Sequence, residues 1–389
     1  MHNKLNVLHL ASFSGNIGDE ANHIGFRSKF KKNIYDNVNF NNIEIRDFYK
    51  SWNFRKFDET FVSLANSHDL LVIGGGNFFE VCWDYSSSGT TIDIPIDLLN
   101  KINIPILFNG VGFDDGKGAT EESILKFKYF ISYLTSSPKI ITSVRNDGSK
   151  QLLQKYYDKT ITDKIYTVPD GGFFFKVDEI VQHRINLSRK LIGICVACDM
   201  PEIRFELHDE SSKLDFEKSM ANVVNNILME YDEYDIAFLP HIYSDMEIIS
   251  KIMNFVNDKF RRNRIIIGPY LNGTVNGAEF IFSLYKKCDL ILGMRFHSNV
   301  CAIGNNIPTI GLISYHKHRL MYDELGLSDR YVLIKEKDFQ HLLLDKFKQS
   351  IDDLSLIKKR YDDISKSLNV EIDKFHKGVY QWLASNSVI

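Results

Sequence analysis

Residues 288–317 read CDLILGMRFHSNVCAIGNNIPTIGLISYHK: an apolar strand runs straight into Arg295 and His297, then come a helix, a second strand and Lys317. That order puts a guanidinium, an imidazole and an amine at the mouth of one βαβ-like unit. Helix-start amides and cationic side chains converge there on the spot where a phosphate or carboxylate would sit. A charged pair in otherwise apolar sequence is costly unless partnered, which makes Arg295 and His297 candidate ligands of an anion. Lys317, after the next strand, is placed to close the same pocket from the side.

Other segments carry weaker signals. The first strand ends in SGNIGDEANHIG (14–25), where Gly15 and Gly18 bracket a turn before a helix with Asp19 and Glu20 in its first turn. Glycines permit positive φ and close backbone approach, so this loop can hold a phosphate or sugar against main-chain amides. Asp19 reads equally as an acid favoured by the helix dipole and as a ligand or catalytic group. The GGG turn (74–76) followed by NFFE, and NGVGFDDG (109–116), lie at the carboxyl ends of further strands, where open α/β sheets place their ligands. Glu80, Asp114 and Asp115 are sugar-binding or basic candidates there, against the plainer reading of exposed loop carboxylates. In SVRNDGSKQLL (143–153) Arg145 closes a strand; its planar, permanent charge suits an anion, and a salt bridge to a loop carboxylate is the competing reading. VPDGGFFF (168–175) reads as one more strand and turn carrying Asp170, and His241 ends a strand as a hydrogen-bonded structural residue.

The elements that must position these residues alternate in type. Strand-length apolar runs at 5–11, 42–48, 69–75, 104–112 and 139–145 are separated by helical patterns at 18–32, 56–67, 120–135 and 147–157. The rhythm restarts with strands at 191–197, 235–241, 264–270, 289–294 and 308–314 and helices at 214–230, 245–260 and 277–287. Such alternation predicts an α/β protein with largely parallel sheets, in two Rossmann-like halves. The polar stretch 176–189 marks the join, giving domains 1–183 and 184–389, the second with the C-terminal helices. In the helical segment 338–385, Leu368, Ile372, Phe375, Val379, Trp382 and Leu383 form one apolar stripe that predicts packing across the inter-domain groove or back on the first domain.

Composition bounds the function. The 50 acidic and 47 basic side chains nearly cancel to a net charge of −3, which removes the electrostatic footprint of a dedicated nucleic-acid binder. No stretch approaches the apolar length of a membrane span, and the opening residues read as a short strand rather than a secretory signal, so the expectation is a soluble cytoplasmic protein. The five cysteines are scattered in apolar runs, as reduced thiols are. The one CxxC, Cys195 to Cys198, lacks a second half-site and sits on a strand where positions three apart face opposite ways, so no metal site is expected.

The ordered set GNIGDE, the GGG loop, NGVGFDDG, SVRNDGS and GMRFHSNVCAIGNNIPTIGLISYHK resembles the polysaccharide pyruvyl transferase family over roughly residues 5–330. The resemblance implies two Rossmann-like domains in a glycosyltransferase-B-like arrangement with an active-site cleft between them. It implies transfer of a pyruvyl group from phosphoenolpyruvate to a sugar as a cyclic ketal, with no cofactor and no metal. Arg145, Arg295, His297 and Lys317 then look like the phosphoenolpyruvate-contacting set, with His297 catalytic and Asp19 engaging the acceptor hydroxyl. Gly15, Asn16, Asp19, Gly75, Asn77, Glu80 and Asp114 become the candidate acceptor side. The family's tyrosine, two residues, lysine pattern departs here to Tyr315, His316, Lys317, His318, leaving open whether Lys317 or His318 takes the lysine's place. The acceptor is a carbohydrate, often lipid-linked, which implies a peripheral position at the inner face of a membrane. The rival reading is a nucleotide-sugar glycosyltransferase of the same shape, using 295–317 for a diphosphate and Glu80 or Asp114 as base.

Overall fold

The computed structural model describes residues 4–177, 188–205, 211–271 and 276–389. Its contacts divide the chain into two compact units. One comprises Met1–Phe13, Phe26–Gly171 and Leu368–Ile389, the other Ser14–Gly25 and Gly172–Ser367. The expected boundary at 183/184 lies outside the described residues. The contact pattern exchanges two segments that a single cut would not: the glycine loop with its first helical turns belongs to the second unit, and the last stretch of chain to the first.

The first unit is built on strands β1 (Leu5–Ala11), β2 (Val38–Glu44), β3 (Leu70–Gly74), β5 (Ile106–Val111), β7 (Ile140–Arg145) and β8 (Tyr166–Val168), in the order β2-β1-β3-β5-β7-β8. All are paired in parallel. A two-stranded ladder of β4 (Phe79–Glu80) and β6 (Phe113–Asp114) extends beyond β3 and β5. Every residue of β3 and β5 is buried, as parallel strands covered on both faces must be. The helix Glu59–Asn66 starts where Asp58 accepts from the amides of Thr60 and Phe61, and Glu121–Ser136 starts where Thr120 accepts from Ser123.

The second unit repeats the plan with β9 (Lys190–Cys195), β10 (Tyr234–Phe238), β11 (Ile265–Ile267), β12 (Cys288–Gly293), β13 (Thr309–Ile313) and β14 (Tyr331–Leu333), ordered β11-β10-β9-β12-β13-β14 and all parallel. Counted from β9, that is the doubly wound order 3-2-1-4-5-6, whose strand order reverses between β9 and β12. Ligands of such sheets bind outside the strand carboxyl ends at that reversal.

Several boundaries differ from those expected. β2 runs over 38–44 instead of 42–48, and Arg46–Tyr49 is a short helix. As a sheet edge, β2 is mostly half-buried or exposed, so its asparagines hid it from an apolar search. The helix expected over 245–260 is two, Asp245–Phe255 and Asp258–Asn263, because Asn257 caps a fresh start by accepting from Lys259. At 168–175 the chain leaves β8 and makes a 3-10 turn over Gly171–Phe174. Among the described residues no helix is long and apolar enough to cross a membrane.

The apolar stripe of the last helix, Leu354–Ser385, buries Leu368, Ile372, Phe375, Val379 and Leu383. Around it Asp373 accepts from Lys29 (3.1 Å) and Asn33 (2.7 Å), and the Trp382 indole donates to the Pro138 carbonyl (2.9 Å). His376 is fully enclosed between Phe30 and Asn33. Burial, and next the Lys29 charge, push its pKa down from 6.5 to about 4, with Asp373 pulling the other way. The unfolded chain therefore takes up a proton near pH 6.5 that the folded chain refuses until about pH 4. Stability from this residue is complete above pH 6.5 and is lost as pH falls through that window, by up to about 3 kcal/mol. Urea titrations from pH 7 to pH 4 should show His376→Gln with a shallower acid loss than the parent; parallel slopes would refute the assignment.

Candidate functional site

At the reversal point of the second sheet, Arg295 follows β12 directly and is the N-cap residue of the helix Phe296–Gly304. The residue is 8% exposed. Nε donates to Asp245 Oδ2 (2.7 Å), and Nη2 donates to Asp199 Oδ1 (2.8 Å) and to Asp245 Oδ1. Asp199 also pairs with Arg204 (3.3 Å), whose Nη1 reaches Ser314 (2.8 Å). Two guanidinium groups and two carboxylates thus close on one another. Burial alone would lower the Arg295 pKa, but Asp245 first and Asp199 next outweigh it and raise it. Against its own burial, the Asp199 carboxyl is held below its usual range by Arg295 and then Arg204. Arg295 Nη1 makes no hydrogen bond to a described residue.

His297 lies in the first turn of that helix, 7% exposed, with Nδ1 3.9 Å from Asp19 Oδ1. The approach depends on Gly18, because a Cβ there would stand 2.7 Å from the His297 Cβ and Nδ1. The glycine loop is fixed from two sides. Ile17 donates its amide to the His241 carbonyl (3.4 Å), and Glu20 accepts the Ala278 amide (3.0 Å) at the start of the helix Gly277–Tyr285. Asn16 Oδ1 accepts the Gly18 amide (2.9 Å), so its part is to shape the turn. Burial raises the Glu20 pKa, against the helix-start amides that stabilise its charge. His241 shares a 2.7 Å hydrogen bond with Tyr285, and burial, then Arg295 and His297, hold it well below 6.5 and therefore neutral.

Lys317 is 2% exposed in the first turn of the helix His316–Glu324, which leaves β13 beside the helix leaving β12. The Phe296 and His318 rings, 5.7 Å apart, mark how close the two helix starts are. A cation at a helix start opposes the macrodipole, and burying an ammonium is expensive. His318, the other candidate for the family lysine's place, is also buried, in ring contact with Tyr315 and Phe296.

In the first unit Arg145 is buried at the end of β7, donating to Asp147 from Nε (3.1 Å) and pairing with it through Nη2 (3.0 Å), while Nη1 reaches Asp170 (3.3 Å). The salt-bridge reading of this arginine is the one the fold displays. Gly75, Asn77, Glu80 and Asp114 gather at the carboxyl ends of β3 and β5. Gly74 sits at φ +144° with its would-be Cβ 2.2 Å from the Asn109 carbonyl, so only glycine permits this turn. Gly75 donates to the same carbonyl (3.0 Å). Asn77 Nδ2 donates to Glu80 (3.0 Å) and Asp114 (2.6 Å), and Lys117 pairs with Glu80 at 2.5 Å. Asp115 accepts from Lys155 (2.9 Å) and Tyr156 (2.8 Å). The candidate acceptor residues therefore fall in two groups, Gly15, Asn16 and Asp19 in the second unit and the other four in the first.

The sequence model of the polysaccharide pyruvyl transferase family matches residues 16–317, from the glycine loop to Lys317. The chain belongs to that family. It is accordingly a transferase enzyme acting on polysaccharide. Among curated proteins no sequence match is found. Solved structures similar to the transferase include an α,α-trehalose-phosphate synthase from Burkholderia vietnamiensis, at 10% identity and TM-score 0.56, covering 100% of both chains. A putative UDP-N-acetylglucosamine 2-epimerase from Listeria monocytogenes matches at 12% identity and TM-score 0.55, over 94% of this chain and 91% of that one. UDP-GlcNAc 2-epimerase from Neisseria meningitidis matches at 11% identity and TM-score 0.54, over 96% and 100%. At such identities the likeness shows the fold: two Rossmann-like domains of the glycosyltransferase-B type.

Sequence reasoning missed Asp199, Arg204 and Asp245. The cost of burying Arg295 was legible, but nothing local told which carboxylates offset it, since they lie 96 and 50 residues away. In the transferase, Asp245→Asn should cost about 3–5 kcal/mol of stability, because it leaves the buried guanidinium short of charge; a denaturation midpoint equal to the parent's would contradict this. Gly18→Ala should leave the chain folded by circular dichroism yet displace His297 and lower turnover at least about tenfold, the loss expected if His297 belongs to the active site.

Proposed function

We propose that the transferase takes its pyruvyl group from phosphoenolpyruvate and sets it across two hydroxyls of a sugar as a cyclic ketal, releasing phosphate. The observation that carries this reading is the pair of adjacent helix starts in the second unit, holding His297 within 3.9 Å of Asp19 and a buried Lys317. Helix amides and an ammonium are what a compact dianion needs, and an imidazole beside a carboxylate is what proton transfer needs.

The chemistry requires a proton on the enol methylene carbon, which becomes the methyl group and leaves an oxocarbenium-like centre at C2. One sugar hydroxyl attacks C2 and loses its proton. Departure of phosphate restores the cationic centre, and the second hydroxyl closes the ketal. Of the two hydroxyl protons, one balances the proton consumed at the methylene and the other leaves with phosphate. In this reading His297 donates or relays the first proton, Asp19 takes up a hydroxyl proton, and Lys317 with the helix amides stabilises phosphate as it departs. Arg295 contributes direction more than charge: its two aspartates fix the plane, and Nη1 offers N–H groups to a carboxylate or phosphate oxygen. Arg145, forked on Asp147 and Asp170, holds its own loop. The acceptor is a surface polysaccharide or its lipid-linked precursor.

The test is phosphate release from phosphoenolpyruvate with a panel of sugar acceptors, alongside UDP release from UDP-sugars. We expect phosphate release that His297→Ala lowers by about 10²-fold or more. Lys317→Ala should weaken phosphoenolpyruvate binding about tenfold to a hundredfold, as loss of one charge-assisted contact does. UDP release with inert phosphoenolpyruvate would replace this reading with that of a glycosyltransferase, and full turnover in both variants would remove the site.

A further inference from the structure

Parallel pairing of β4 with β6 sets Glu80 directly opposite Asp114, and the Asn77 amide bridges the two carboxylates. From this polar layer the chain climbs through aromatic residues. The Trp83 indole N–H donates to Glu80 Oε2 (3.4 Å), and its ring meets Tyr49 at 5.7 Å and 70° and Tyr85 at 5.8 Å and 89°. Tyr85 is 67% exposed. We propose that Trp83 and Tyr85, with Tyr49 behind them and Glu80 and Asp114 at their foot, form the subsite that holds a neutral pyranose ring of the acceptor. The inference rests on the family reading only for the acceptor's being a carbohydrate, and not on the identity of the donor.

A pyranose presents an apolar face of C–H groups bordered by hydroxyl donors. Aromatic faces with a polar handle match the first, and carboxylates match the second. Glu80 and Asp114 are nearly buried, and the amide, ammonium and indole that already donate to Glu80 hold it in one orientation, so a hydroxyl meets a fixed acceptor. Charge decides the class of sugar. Glu80, Asp84, Asp114 and, beside Tyr85, Asp93 stand against Lys117 and Lys50, the latter over the Tyr49 ring at 5.6 Å, while Lys126, which donates to the Asp84 carbonyl, is also paired with Glu122 (2.7 Å). Cys82 registers the balance: its thiol is pushed up to about 11 by burial first, then by Glu80, with Lys117 opposing and Asp114 and Asp84 adding. A uronate or sugar phosphate at this spot would meet like charge, as would a nucleotide; a neutral hexose would not.

The experiment is ligand-observed saturation-transfer NMR, with dissociation constants by titration, on the full-length transferase. The probes are the methyl glycosides of glucose, galactose, mannose, rhamnose and N-acetylglucosamine against those of glucuronate and galacturonate. At least one neutral glycoside should bind, with the uronates about tenfold weaker or more. Trp83→Leu and Tyr85→Ala should each weaken the neutral probe about tenfold, and Glu80→Gln should narrow the gap to the uronates. Tyr85 is exposed, so its variant tests the subsite even if Trp83→Leu misfolds. Neutral binding unchanged in Tyr85→Ala, a uronate bound as tightly as any neutral probe, or no neutral probe bound at all would each overturn the subsite. Phosphoenolpyruvate titrated in parallel separates the claims: sugar effects without donor binding leave this inference standing and remove the donor, and donor binding without sugar effects does the reverse.

Discussion

The burial of one guanidinium governs the second unit. Arg295 follows the strand at the sheet's reversal point and is nearly buried, so most of its charge has to be met by the protein itself. Asp245 does so from the start of the helix after β10, and its Oδ2 also accepts the amides of His241 (2.8 Å) and Ile242 (3.1 Å). One carboxylate thereby fastens the end of β10 to the end of β12. His241 in turn receives the Ile17 amide, which suspends the loop carrying Asp19 from the same anchor. The distance between Asp19 and His297 is thus a consequence of an ion pair that neither residue joins. Buried pairs of this kind contribute little net stability over an apolar filling, and their worth is in fixing one arrangement; here that arrangement is the orientation of a helix start.

The first unit solves a similar problem in the same manner. Arg145 at the end of β7 is satisfied by Asp147 and Asp170, and Asp147 in turn accepts from the Ser149 amide at 3.3 Å, where the next helix begins. Both arginines that the sequence marks as anion ligands also brace strand ends against helix starts.

What was legible in the sequence follows from what is local. Buried parallel strands declare themselves, because both faces are covered and an unbroken apolar run results; β1 runs over the expected residues and β12 differs by one position at each end. The glycine turns at 15 and 74–76 were legible for the same reason, since their need for glycine lies in their own backbone or a neighbour close in sequence or across the sheet, whereas the need at Gly18 is set by His297, far along the chain. Edge strands were not. β2 lies exposed along one side and β14 is three residues long, so neither needs an apolar signature. The helix His316–Glu324 was missed as well. Three of its first four residues are His, Lys and His, and its helical state depends on Met321 and Tyr322 packing beneath β13. The aromatic step at Trp83 and Tyr85 has no period at all, and its meaning came only with the placement of Glu80. Carboxylate partners distant in sequence leave no local trace, so the inward assignment of much of the Arg295 charge, to Asp199 and Asp245, could not be read from the sequence.

That inward assignment changes how the proposed donor would be held. If both arginines were uncommitted, a doubly anionic molecule would be drawn chiefly by a long-range field. Arg145 and Arg295 are each ion-paired to two aspartates, and the groups that the second unit would offer the proposed donor are short-range and directional: two helix starts, the N–H groups of Arg295 Nη1, the Lys317 ammonium and the His297 imidazole. Such a set discriminates by shape, because amide and guanidinium donors fall off steeply with angle while a field does not. It also fits a reaction in which charge moves. A site already saturated with positive charge would bind phosphate as firmly after transfer as before it and release it slowly. In the proposed reaction, fixed dipoles and the Lys317 ammonium would stabilise phosphate as it leaves yet let it go, while the His297 imidazole beside Asp19 would handle the protons.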